Sequence, residues 1–223
     1  MLGYIVLLSV LSTCVGAANI CCAPDKWFAH KFTAGLLMKT IEGVNVPISD
    51  DGNSEEYFDS VSERSVTVGN YSLDDTAGES KTISDHKANR RYKIDLKKKT
   101  CTVETFTDPF EKFCVTDQFT KVYEYVLGFG SNTLSSTAYK AEKSGVVEVV
   151  QVSKECIPVQ AYTVGKDENY FLETVGYTTF GSDFEDSVFD VPDYCPKCSE
   201  ATEKHETLSF QEIPLPWRRF VKL

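Results

Sequence analysis

The chain has 223 residues, 42% hydrophobic and 25% charged, the composition of a globular protein rather than a disordered one. It carries 33 acidic residues against 23 basic ones, a formal net charge of -10 at pH 7. That balance excludes a nucleic-acid binder, whose phosphate contacts need clustered Lys and Arg, and suits cations, basic partners or simple solubility.

Residues 1–17 read as a signal peptide. They hold no charged side chain, an apolar run over 4–11 and small residues at Val15-Gly16-Ala17 for cleavage after Ala17 or Ala18. The run is too short to span a bilayer, and no later stretch approaches ~20 apolar residues, so no transmembrane segment is expected in the mature chain. Cleavage removes Cys14 and leaves Cys21, Cys22, Cys101, Cys114, Cys156, Cys195 and Cys198. Seven thiols in a secreted chain allow three bridges, with one thiol free or joined to a second chain.

The elements that follow are strands. Residues 47–54, with Asp50-Asp51-Gly52-Asn53-Ser54, read as a loop. Val66 and Val68 alternate with Thr67 and Gly69, and Asn70-Tyr71-Ser72 is an N-glycosylation acceptor that needs an exposed position. A second loop is expected over 73–80. Tyr92, Ile94 and Leu96 alternate with Lys93, Asp95 and Lys97. A Lys-rich turn then leads to Cys101 and Val103, which makes a hairpin with one buried face. Strands are predicted over 122–127, 146–152, 159–164 and 170–177, with a loop over 128–133. Strands every 10–20 residues suit a meandering antiparallel sheet in a mostly β fold. The best helix signal follows Ser199 as N-cap, and the tail from Pro214 reads as a loose terminus.

Enzyme signatures are scarce. His30, His86 and His205 form no metal-binding pair, and there is no Gly-x-Ser-x-Gly elbow. Gly128-Phe129-Gly130 lacks the third glycine of a dinucleotide site. Cys195-Pro196-Lys197-Cys198 has the spacing of a redox pair or half a zinc site, but structural disulfides fit an all-β chain better. The acidic clusters at 50–56 and 183–193 read as solvated charge first and weak calcium loops second; the former fails the EF-hand spacing. The metal ligands are not assigned.

Four segments then carry a resemblance: Cys22-Ala23-Pro24-Asp25-Lys26-Trp27, Arg91-Tyr92-Lys93-Ile94-Asp95 with Cys101, Cys156-Ile157-Pro158-Val159, and Phe189-Asp190-Val191-Pro192-Asp193-Tyr194-Cys195. In this order the chain resembles ependymin-related proteins of the invertebrate kind, over about residues 20–198. The resemblance implies a signal peptide over 1–17, an ependymin-like β domain over 18–200 and a helix or tail over 201–223. It implies two curved antiparallel sheets stacked around an apolar pocket, similar to lipocalin-like and bacterial lipoprotein-carrier folds, with few short helices. It implies a secreted, non-enzymatic acidic glycoprotein that binds a lipid-like small molecule, with calcium binding, homodimers and extracellular matrix or cell contact as associated properties. The alternative is a structural component of an extracellular or calcified matrix. Carried across by motif, Cys22 pairs with Cys156 and Cys101 with Cys195. The third bridge is assigned to Cys114 and Cys198, which leaves Cys21 free or between chains. Asn70 is the glycosylation site. Tyr92, Ile94, Tyr123, Tyr125, Tyr162, Phe171 and Tyr177 are the candidate pocket lining.

Overall fold

Alternation of buried and exposed side chains organises almost the whole of the described chain. A computed structural model describes residues 19–41, 44–73, 76–143, 145–165 and 171–196. Among the described residues there are thirteen strands: β1 (Asn19–Cys22), β2 (Lys26–Ile41), β3 (Val44–Asp59), β4 (Arg64–Leu73), β5 (Thr76–Asp85), β6 (Arg90–Asp95), β7 (Thr100–Thr105), β8 (Cys114–Thr116), β9 (Thr120–Phe129), β10 (Asn132–Lys143), β11 (Val146–Ser153), β12 (Pro158–Gly165) and β13 (Phe171–Gly181). A single turn of 3-10 helix follows at Asp186–Phe189.

The fold is almost entirely β and comprises two antiparallel sheets of unequal size. Eleven strands form one sheet in the order β7-β6-β5-β4-β3-β2-β13-β12-β11-β10-β9, and β1 and β8 form the other. From β2 the chain meanders outward to β7. It returns through residues 106–113 to β8, starts again at the opposite edge with β9, and meanders inward until β13 pairs with β2.

The two-stranded sheet packs on one face of the large one, called here the inner face. Trp27, Ala29, Phe58, Val150, Ala161, Val175 and Tyr177 meet Cys21, Phe110, Phe113, Val115 and Phe119 in this core. Trp27 is 3% exposed and stacks on Phe58 at 5.3 Å and on Phe180 at 5.4 Å between ring centroids. A second core lies on the outer face of the β4–β6 half. There Val66, Ile83 and Ile94 pack under Phe189 of the 3-10 turn and Cys195.

Three disulfides pin these layers: Cys21–Cys156, Cys22–Cys114 and Cys101–Cys195. The expected Cys22–Cys156 and Cys114–Cys198 pairings are therefore corrected. Adjacent residues of a strand point to opposite sides. On β1, Cys22 faces Cys114 across the ladder, and Cys21 lies against the inner core, where it reaches the β11–β12 turn. Cys21 is bonded, neither free nor an interchain link. Cys198, the signal peptide, the tail helix and His205 lie outside the described residues.

Residues 47–54 are also corrected, from loop to the middle of β3. There Asp51 pairs with Ala34 on one side and Ser72 on the other. The expected 73–80 loop is mostly β5. The 128–133 loop shrinks to the turn between β9 and β10.

Candidate functional site

Backbone register builds the site. One line of cross-strand partners crosses the large sheet from Ala141 of β10 through Glu148 of β11, Thr163 of β12, Glu173 of β13 and Gly35 of β2 to Asp50 of β3. Directly opposite residues share a face, so these side chains lie together on one side of the sheet. The next residues on that face are Val150, Ala161 and Val175, which belong to the inner core. The inner face thus changes within two residues of each strand from apolar to acidic.

This acidic line is deeply buried. Glu148 is 1% exposed, Thr163 2%, Asp50 4% and Glu173 9%. Neither side-chain oxygen of Glu148 has a hydrogen-bond partner, and neither does the Thr163 hydroxyl. Burial, and then the charge of Glu173, push the Glu148 carboxyl up to about 8. Burial, and then Asp51, push Asp50 up to about 6. Both shifts follow from the cost of holding a carboxylate away from water. Farther along the same face Lys31 meets Glu56 at 3.6 Å, with both side chains buried.

Sequence reasoning missed this line. The cluster at 50–56 reads as solvated charge or a calcium loop. As a strand it splits, with Asp50, Gly52, Ser54 and Glu56 on the inner side and Asp51, Asn53 and Glu55 on the other. Among the described residues no group of three or more His, Cys, Asp or Glu is placed to hold a metal ion. The signal that points to the acidic line is Glu148 within Val146-Val147-Glu148-Val149-Val150, a carboxylate inside a β-branched run.

The seven candidate lining residues do not share one surface. Tyr177 and Phe171 lie on the inner face with Val175. Tyr92 and Ile94 lie in the outer core, and Ile94 is 1% exposed. Tyr123, Tyr125 and Tyr162 gather on the outer face of the other half. There the Tyr125 hydroxyl donates to Gln151, and Tyr123 and Tyr125 have ring centroids 5.6 Å apart. Tyr125 also borders an open, shallow pocket of about 380 Å³ between β9 and β10, with Glu124, Ser136 and Lys154.

The remaining motif residues have structural partners. Cys195 is bonded to Cys101, so it is not a free thiol of a Cys-x-x-Cys pair. His30 Nε2 lies 3.2 Å from Glu55. His86 Nδ1 lies 3.1 Å from the Asp108 carbonyl, with its ring edge-on to Phe106 and Phe110. Asn70 of β4 is exposed.

Comparison with known proteins adds an independent line. The family model described as Ependymin matches residues 74–195. Ependymin-related protein 2 of Haliotis asinina is 26% identical over 207 residues, covering 87% of this chain and 98% of that protein. Among solved structures, an uncharacterized conserved protein from Thermus thermophilus aligns over 75% of this chain and 86% of its own, at 11% identity and a TM-score of 0.48. A LolA superfamily protein from Nitrosomonas europaea aligns over 77% and 93%, at 6% identity and a TM-score of 0.35. Likeness at these scores decides nothing about a ligand.

Proposed function

The chain belongs to the ependymin family, and from that premise we propose that it is a secreted carrier that holds a small amphiphile against the inner face of its large sheet. Family membership and three disulfides fit an extracellular protein. The observation that supports the carrier reading best is the inner face itself. An apolar core runs directly into buried side chains whose hydrogen-bonding capacity the protein leaves unused. Buried polar groups in a self-contained core are almost always satisfied. A ligand with an apolar tail and a polar head would satisfy these, and burial of its tail contributes about 25 cal/mol per Å² of apolar surface before ordering costs.

Native mass spectrometry of protein secreted from a eukaryotic host, before and after denaturing extraction, tests this. A removable lipid-sized mass is the expected result. A clean apo mass from a sample that has met lipids overturns it. That outcome would shift weight to an acidic component of an extracellular or calcified matrix, which the net charge of -10 favours. Added calcium in the same experiment tests the cation association implied by the family. A glycan on the exposed Asn70 would appear as added covalent mass.

For the homodimer we propose β9 as the contact. It is an edge strand whose Val122, Val126, Leu127 and Phe129 are all exposed. An uncovered apolar edge invites a second strand.

A further inference from the structure

We propose that Glu148, Thr163 and Glu173 form a head-group subsite for a cationic amine, so that the ligand class is a long-chain amine rather than a fatty acid. This rests on the carrier reading above and names the chemistry of the head. The three residues are consecutive cross-strand partners on β11, β12 and β13. Strands lie about 4.8 Å apart, so the two glutamate backbones stand roughly 10 Å from each other, with Thr163 between them. The position proposed for a small cation is over the threonine hydroxyl, between the two carboxyl groups. An ammonium has three donors and no acceptor. Glu148 and Thr163 offer side-chain oxygens that no donor among the described residues uses, although the two residues are only 1% and 2% exposed.

Charge selects among possible heads. Glu173 acts electrostatically on Glu148, and Asp50 stands in the same line beyond Gly35. A ligand carboxylate would place a negative charge beside Glu173 in a site with little water, where burial already disfavours the charged form of Glu148. A neutral alcohol would satisfy one oxygen and leave the other orphan oxygens of Glu148 and Thr163 without a donor. A cation turns the same groups into charge-assisted acceptors, which are the stronger kind of hydrogen bond. Gly35 places no side chain between Glu173 and Asp50. Val150, Ala161 and Val175, next along the face, belong to the buried inner core, so a tail entering there displaces packing between the two sheets.

The test titrates delipidated full mature protein by calorimetry with dodecylamine, dodecanol and laurate, all below their micelle concentrations. Dodecylamine is expected to bind stoichiometrically and more tightly than the other two. Glu148→Gln keeps the side-chain shape but cannot ionise to meet an ammonium, and it is expected to weaken dodecylamine at least tenfold while leaving laurate unchanged. Thr163→Val, which is isosteric, is expected to weaken dodecylamine by a smaller factor. Laurate or dodecanol binding as well as the amine, or amine binding indifferent to Glu148→Gln, overturns the head-group assignment and leaves the carrier reading standing. Failure of all three probes to bind overturns both.

Discussion

Trp27 shows how much one side chain can hold together. Its ring lies between Phe58 of β3 and Phe180 of β13, with Tyr177 edge-on at 6.5 Å, so it joins three neighbouring strands at the centre of the large sheet. Trp27→Ala should lower unfolding free energy by about 3–5 kcal/mol, read as a shifted urea midpoint, because the flanking rings cannot close over the space. A loss below ~1 kcal/mol would mean that the three rings repack. The residue scale is also where sequence and structure part most clearly. Cys101 and Cys195 pair as the family motifs imply, whereas Cys21 takes the partner expected of Cys22, and Cys22 is bonded to Cys114. In a strand a one-residue slip reverses which face a side chain addresses, and nothing local distinguishes two adjacent identical residues. Glu148 was legible as an oddity inside a β-branched run. Its partners, Thr163 and Glu173, become visible only once the register is known.

At the scale of elements, strands with clean alternation were legible and strands with turn-like composition were not. Residues 66–68, 92–103, 122–127, 146–152, 159–164 and 170–177 all fall in strands except the Lys-rich turn between β6 and β7 and residue 170, which lies outside the described residues. β3 was not legible. It contains Pro47 and the run Asp50-Asp51-Gly52-Asn53-Ser54, residue types that sheets usually avoid. Two physical facts rescue it. From Asp50 to Asp59 it is paired on both sides, with β2 and β4. Pro47 precedes the first β4 pair, Asp50 with Leu73, so its missing N–H removes no bond to that neighbour. Gly69 makes the β3–β4 contact close. A Cβ there would collide with the Asn53 carbonyl and with Ser54. Gly69→Ala should therefore cost about 1–3 kcal/mol, because backbone rather than a movable side chain must yield. Unchanged stability would show that β3 and β4 separate at no cost. The Cys101–Cys195 bridge acts on another element, since it ties β7 to the segment after the 3-10 turn. Cys101→Ala with Cys195→Ala should speed amide exchange around Phe189 and Ile94 and leave exchange near Trp27 unchanged. Uniform loss of protection would instead mean that the outer and inner cores unfold as one.

The whole molecule carries two sets of carboxyl groups that pull its stability in opposite directions with pH. Asp25 is held below its ordinary value by hydrogen bonds from Lys112 and then Ser60, and Asp186 by hydrogen bonds from Lys26 and then Arg64. Asp95 is lowered by the Lys98 backbone N–H. For Asp59, burial acts upward, but hydrogen bonds from Ser62 and Arg64 outweigh it and lower the value. These groups stabilise the fold above pH ~4 and lose that effect as pH falls through their folded values. Asp50 and Glu148 do the reverse. The unfolded chain releases their protons near the ordinary values of 3.8 and 4.5, whereas the folded chain keeps them to about 6 and about 8. The unfolded state then binds fewer protons, so stability falls as pH rises through those two windows and levels off above them. For Glu148 the full window is worth on the order of 5 kcal/mol. The expected profile has its maximum near pH 4–5 and declines toward pH 8, an acidic optimum set by the inner face rather than by the net charge. Urea midpoints at pH 4.5, 6.5 and 8.5 check it, and Glu148→Gln should flatten the decline above pH 6. A wild-type midpoint that rises from pH 5 to 8 would show that the acidic line stays ionised in the folded protein. In that event water or a protein donor must already serve it, and the inner face would have no unmet demand for a ligand head.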